Sequence, residues 1–337
     1  MNISDAVGLI KGKCRLRHMS YSTEKTYTAW VRKYAWWLSK NKPSGDPRAK
    51  VESFLTKMAL DDYSSSAQNQ AFNAILFLYR ECLGIELGDV KALRARRPQM
   101  ERYSPRFDEV QRLLADVKDS GGYPLRLVVH LLYGCGLRVS EPVNLRLKDI
   151  DLPNSRLTIR QAKGAKDRVV VLPCSLSLAV KAQMATARAV ANRDRMAGLP
   201  VQLPGRLDVK YPRLAFSSGW AFLFPGNNSC IHPRIGKRVR YHLLEENIQR
   251  AVRASVRRLD LPPMLTPHSL RHAWATHSLE AGENIRDIQA CMGHSSLETT
   301  QVYLHPELGR IKSPIDRMGL FWAGGMILKK EMRSIGT

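Results

Sequence analysis

Residues 267–271 read Pro-His-Ser-Leu-Arg, which sets the imidazole of His268 three positions from the guanidinium of Arg271. On a helix that offset brings two side chains to one face. Pro267 suits a helix start, where the backbone dipole favours an anion. The pair therefore reads as a phosphate site without metal. A zinc reading of His268, His272 and His277 fails, because no carboxylate or cysteine stands at a ligand-like spacing and Arg271 between them would repel a cation. No GxxxxGK[ST] loop occurs, since Gly236-Lys237 lacks the upstream glycine and runs into Arg238, so a nucleotide-triphosphate motor is excluded. The acidic residues form no cluster that would hold two metal ions for nuclease chemistry. Taken alone, His-x-x-Arg is a weak signal.

More residues able to do chemistry follow a definite order along the chain. Gly136-Leu137-Arg138 exposes an arginine at a helix start, and Lys163 lies in QAKGAKD between two β-rich runs. Met292-Gly293-His294-Ser295-Ser296 puts a histidine in a turn, with Ser295 and Glu298 spaced as a capping box. Tyr303 follows nine residues after His294 on the next helix. Each has a structural reading beside the chemical one: a helix-terminal arginine, a turn lysine, a capped turn, a core tyrosine. Their joint occurrence in this order carries the weight.

Mostly helical elements must position these groups. In residues 20–40, Ser20 or Ser22 is a candidate cap, and Tyr27, Trp30, Tyr34 and Trp37 form one stripe, as a core face does. Lys25, Arg32 and Lys33 fall on other faces and read as phosphate contacts. Two more amphipathic helices are expected at Val51–Leu60 and Ser66–Leu83, so residues 1–87 form a small helical domain. Residues 88–104 form a basic linker carrying Arg94, Arg96 and Arg97, read either as solvated or as lying along DNA phosphates. Ser104 is a candidate N-cap with Pro105 at the first helical position. Helices are expected over 125–133, 140–146, 176–195, 234–258, 267–281, 285–292 and 296–304. The runs 156–160 and 168–172 form a hairpin with Lys163 at its tip, after a turn at 149–154. Residues 198–228, with Pro200, Pro204, Pro212 and Pro225, form an irregular interruption.

Composition narrows the partner. The 337 residues carry 53 Lys and Arg against 30 Asp and Glu, a net charge of +23 that suits a polyanion. Hydrophobic content of 44% with 25% charged residues describes a globular chain and excludes a disordered basic tail. Apolar stretches are too short for a membrane span, and the opening MNISDAVGLIKGKCR lacks a signal peptide's apolar run. Six scattered cysteines without a CxxC pair fit a reduced, intracellular compartment.

GCGLRVSEPVNLRLKDID, AKGAKDRVVVLP, TPHSLRHAWATHSLEAG and IQACMGHSSLETTQVYLH together resemble the tyrosine recombinases. The resemblance covers residues 105–316 and extends more loosely over the N-terminal domain. It implies a mainly α fold: a SAM-like helical DNA-binding domain (1–87), the linker (88–104), an α-rich catalytic domain with a small β-hairpin (105–316, with an inserted segment at 198–228) and a tail (317–337). Carried over motif by motif, the catalytic set falls on Arg138, Lys163, His268, Arg271, His294 and Tyr303. Arg138, Arg271 and His294 would neutralise the scissile phosphate. Tyr303 would be the nucleophile, His268 its proton acceptor, and Lys163 the proton donor to the leaving 5′ oxygen. The product would be a 3′-phosphotyrosine link, with neither metal nor cofactor.

A narrower resemblance lies in LPGRLDVKYPRLAFSSGWAFLFPGN, in the opening HMSYSTEKTYTAWVRKY and in KSPIDRM, which are similar to integron integrases. It implies a duplex integron site recombined with cassette sites folded as single-stranded hairpins, by a homotetramer on DNA in the bacterial cytoplasm, associated with the nucleoid. Bases bulging from the hairpin would meet Trp220, Pro233, Tyr241 and His242; Tyr241 stands where that family often has histidine. The apolar tail 318–328 either packs on its own domain or, as the resemblance favours, docks on a neighbouring protomer. Competing readings are a Xer-like or phage-type recombinase on duplex sites, a type IB topoisomerase, and a non-catalytic architectural DNA-binding protein.

Overall fold

Ser20 accepts a hydrogen bond from the Thr23 backbone at 3.1 Å and starts a 21-residue helix whose aromatic stripe builds the core of the N-terminal unit. The structure, a computed structural model, describes residues 3–88, 90, 103–160 and 167–293, and the backbone of 320–323 and 326–329. The chain divides into two compact units, 1–101 and 102–337.

The first unit contains α1 (Ile3–Leu16), α2 (Tyr21–Asn41), α3 (Pro47–Leu60) and α4 (Ser65–Phe77), the last widening into a π turn at Leu78–Leu83. Helix α3 begins at Pro47 rather than at Val51, because Asp46 accepts the Ala49 N–H at 2.8 Å and caps it. Trp30 and Tyr34 of α2 pack with Phe54, Ala71, Ile75 and Tyr79, and the hydroxyls of Tyr34 and Tyr79 share a 3.1 Å hydrogen bond. Ala6, Ile10 and Cys14 anchor α1 against Val31 and Leu78.

The second unit wraps helices around α6 (Leu125–Gly134), which is buried at every position but Arg126. Against it lie α5 (Phe107–Asp116), α10 (Glu245–Arg258) and α11 (Pro267–Glu280), through Leu113, Ile248, Val252, Leu270 and Ala273 among others. Ser104 does not cap α5: its hydroxyl bonds Thr276 at 3.1 Å, the helix starts at Phe107, and the Glu109 carboxylate accepts the Arg106 N–H at 2.8 Å. Helix α7 (Ser140–Asn144) stops short of Arg146. Strands β1 (Ile150–Asp151), β2 (Arg156–Ile159) and β3 (Arg168–Val171) form an antiparallel sheet in which Leu157 opposes Val170. The expected turn at 149–154 thus contributes a short edge strand.

Helix α8 (Ser177–Met196) precedes the inserted segment, which holds α9 (Leu207–Lys210) and a small core of Val201, Leu203, Ala215 and Phe222. The helix expected over 234–258 is corrected. Its first part is β5 (Arg238–His242), paired antiparallel with β4 (Pro225–Ile231), and only Glu245–Arg258 is helical. Gly236 at φ +66° turns the chain between them, and Val239 and His242 point inward while Arg238 stays exposed. Helix α12 (Ile285–Met292) follows α11. In the tail, β6 (Leu320–Ala323) and β7 (Met326–Lys329) form an antiparallel hairpin. Among the described residues, no helix is long and apolar enough to cross a membrane.

Candidate active site and nucleic-acid interface

Helix α6 ends because Gly136 takes a left-handed conformation (φ +60°), which lets the Leu137 N–H reach the Leu132 carbonyl at 2.9 Å. The same glycine lies flat on the ring of Trp274 in α11: a Cβ there would stand 2.5 Å from a ring carbon. This close approach sets the Gly136 carbonyl in reach of Arg271, whose Nη1 donates to it at 2.7 Å while Nη2 donates to the Met292 carbonyl. Arg271 is thus 2% exposed and tied between the ends of α6 and α12. Two of its five N–H groups are engaged this way.

Arg138 follows directly. Its backbone N–H donates to Glu141 Oε2 at 2.8 Å and its Nη1 to Glu141 Oε1 at 2.9 Å. Arg168 of β3 donates from Nη1 and Nη2 to the same two oxygens, at 2.8 and 2.6 Å, and Arg271 Nη1 stands 3.8 Å from Oε2. Three guanidiniums around one buried carboxylate leave two net positive charges, the electrostatics of a phosphate site. Burial raises the Glu141 pKa, but the hydrogen bonds and charge of Arg168 and Arg138 outweigh it and hold the carboxyl below its usual range. Burial, and then the neighbouring Arg138 and Arg168, push Arg271 down to about 10, so it is still charged at neutral pH.

Sequence reasoning singled out Arg138 and Arg271 and missed Glu141 and Arg168. Glu141 stands three residues after Arg138, at the spacing of a helical ion pair, and that was a legible signal. His268 lies on α11 with Arg271 but is exposed, and its Nε2 meets His272 Nε2 at 3.2 Å. Among the described residues no group of three His, Cys, Asp or Glu side chains converges as a metal site. Lys163, His294 and Tyr303 lie outside the described residues, as do Arg94, Arg96 and Arg97 and the helix expected over 296–304.

In the N-terminal unit Lys25, Arg32 and Lys33 are exposed on α2, with the Lys33 ammonium 4.5 Å over Trp30. In the second unit Arg250, Arg253 and Arg257 line an exposed face of α10, a basic row the sequence reading did not assign to any partner.

The inserted segment builds a separate aromatic cluster. The Leu147 N–H donates to Ala221 O at 3.0 Å and the Leu223 N–H to Leu145 O at 2.8 Å, which stitches the segment to the chain after α7. Arg146 is buried between Phe222, 4.1 Å away, and Trp220, whose carbonyl accepts its Nη1 at 2.7 Å. Lys148 Nζ stands 4.0 Å over the Trp220 ring. Tyr241 and His242 lie with ring centroids 3.9 Å apart, and both meet the edge of Phe222. His242 is buried with Nδ1 2.6 Å from Leu243 O; burial pushes its pKa down to about 4, so the ring is neutral at physiological pH. Tyr241 is partly exposed above it. Trp220 and Tyr241 are thus gathered around Phe222, whereas Pro233 stands in the exposed turn at the other end of the β4–β5 hairpin.

Comparison with known proteins agrees with this architecture. A profile of the phage integrase family matches residues 105–309, and one of the phage integrase N-terminal SAM-like domain matches residues 10–89. An "Integrase/recombinase" of Escherichia coli is 34% identical over 317 residues, covering 92% of each chain. The tyrosine recombinase XerA of Thermococcus kodakarensis is 32% identical over 292 residues, covering 86% of each. Two solved structures share the fold. One is a XerH recombinase bound to its difH substrate (TM-score 0.57, 16% identity, 86% of this chain and 79% of that one). The other is a lambda integrase tetramer on a Holliday junction (TM-score 0.56, 16% identity, 90% and 80%).

Proposed function

This chain belongs to the phage integrase family and is a site-specific tyrosine recombinase, and we propose that it is of the integron type and joins a duplex site to cassette sites folded as single-stranded hairpins. DNA is the partner, in line with the charge of +23 and the basic rows of α2 and α10. The enzyme works as a tetramer, one protomer on each arm of the paired sites.

The observation that carries the chemistry is the trio of guanidiniums held around Glu141. Arg138 and Arg271 bind the non-bridging oxygens of one phosphodiester and offset the charge that builds as the attacking oxygen approaches. Tyr303 attacks the phosphorus, giving its proton to His268. The phosphorus–oxygen bond to the 5′ carbon breaks, and Lys163 supplies the proton that the departing oxygen takes up. His294 adds a donor to the phosphate. The resulting phosphotyrosine keeps the energy of the broken linkage, so the 5′ hydroxyl of a second DNA end reverses the step without an external energy source.

Hairpin recognition is supported by the Trp220 cluster. Lys148 and Arg146 stand 4.0 and 5.5 Å from the centre of the indole, and a base out of the duplex stacks on aromatic surface at a gain of roughly 1–3 kcal/mol. Tyr241 adds an edge to the pocket, while buried His242 supports Tyr241 from below.

Gel-shift titration of one strand of a cassette site, folded as a hairpin, against the same site as duplex tests this reading. Hairpin binding is expected to be the tighter, and Trp220→Ala to weaken it about 5- to 150-fold while leaving duplex binding unchanged. Equal affinities, or an indifferent Trp220→Ala, would make the chain a recombinase of duplex sites.

A further inference from the structure

We infer that Arg168 is a positioning residue of the cleavage step: from β3 it binds Glu141 and the last turn of α12 into one frame, and so holds Arg138 and Arg271 at the spacing of a single phosphate. The inference rests on the cleavage chemistry proposed above. Arg168 spends three of its five N–H groups inside this frame. Its Nη1 and Nη2 take both oxygens of Glu141, and its Nε donates to the Cys291 carbonyl at 2.6 Å. Its side chain is 8% exposed.

Removing Arg168 has consequences that follow from this geometry. Glu141 accepts four hydrogen bonds, two from Arg138 and two from Arg168. Without the second pair, the next guanidinium beside it after Arg138 is Arg271, at 3.8 Å. The carboxylate then turns toward Arg271 and cancels part of the charge meant for the phosphate. At the same time the Cys291 carbonyl loses its donor, and the Met292 carbonyl that holds Arg271 is the next one along. Gly293 shows how close this packing is: its φ of +61° caps α12, and a Cβ there would stand 3.1 Å from Arg168 Cδ. In sequence, β3 leaves the segment containing Lys163 and α12 enters the one containing His294. Arg168 therefore ties the strand that follows Lys163 in sequence to the helix that precedes His294.

The test uses the full chain and a nicked duplex chosen from a random-sequence pool by covalent capture on the wild-type protein. Single-turnover adduct formation, duplex affinity and the thermal midpoint are read for Arg168→Met, Arg168→Lys, Glu141→Gln and the Arg168→Met/Glu141→Gln double variant. Arg168→Met is expected to slow adduct formation on the order of 100-fold with affinity changed less than about threefold. Arg168→Lys should recover part of the rate, and the double variant should be no slower than the worse single one. Arg168→Met cleaving within about threefold of wild type, or losses that multiply in the double variant, would overturn the inference. Should Arg168→Met lack a cooperative melt, Arg168→Lys decides: a full wild-type rate overturns, and a rate about tenfold lower at unchanged affinity supports. Failure of the wild type to capture any duplex would instead overturn the cleavage chemistry itself.

Discussion

Arg271→Lys is expected to lower the rate of DNA strand cleavage by about 100- to 1000-fold, read as single-turnover adduct formation at saturating DNA. The charge survives this substitution but the planar fork does not. Arg271 serves two carbonyls, Gly136 O and Met292 O, and still has N–H groups to present to a phosphate. A lysine ammonium is a compact point charge with three donors; satisfying both carbonyls leaves it one, aimed by the carbonyls rather than by the phosphate. Duplex affinity should change little, because most of it comes from the many backbone phosphates bound elsewhere. A variant that cleaved at the wild-type rate would mean that Arg271 is a buried strut joining α6, α11 and α12 and nothing more.

Gly136→Ala is expected to destabilise the second unit by about 2–5 kcal/mol, read from the urea midpoint. Two costs combine. An L residue at φ +60° is strained by roughly 1–2 kcal/mol, and the new methyl would stand 2.5 Å from the Trp274 ring, overpacking of a kind that typically costs about 1–3 kcal/mol. The indole sits deep in the core with Leu270 and Ala273 beside it, so it has little room to yield. Any shift that does relieve the overlap carries the Gly136 carbonyl away from Arg271, and activity should therefore fall further than stability alone explains. An unchanged midpoint would show that α11 slides without penalty.

The chain announces its helices well and their ends less well. Aromatics at 27, 30, 34 and 37 mark α2, Ser20 caps it, and Pro267 opens α11 as expected. Helix α1 escapes notice because Gly8 and Gly12 lower its propensity, and only burial of Ile10 and Cys14 fixes it. Residues 238–242 mislead for the opposite reason: Arg238 and Arg240 are good helix formers, and what makes them a strand is pairing with 225–231, a contact with no local trace. At the site, Arg138 and Arg271 are visible as motif residues. Of the carboxylate that unites them only the i,i+3 spacing from Arg138 is visible, since Glu141 meets Arg168 across 27 positions and Arg271 only through tertiary packing. Equally invisible is the burial of His242, which follows from Phe222 and Tyr241 closing over it.

If these guanidiniums serve a phosphodiester attacked by Tyr303, trapping the protein on a nicked substrate, digesting the complex and locating the nucleotide-bearing peptide by mass spectrometry will find it. A single 3′-phosphate link to Tyr303 is expected, absent in Tyr303→Phe. A link to another residue, or one through a 5′ phosphate, would contradict it.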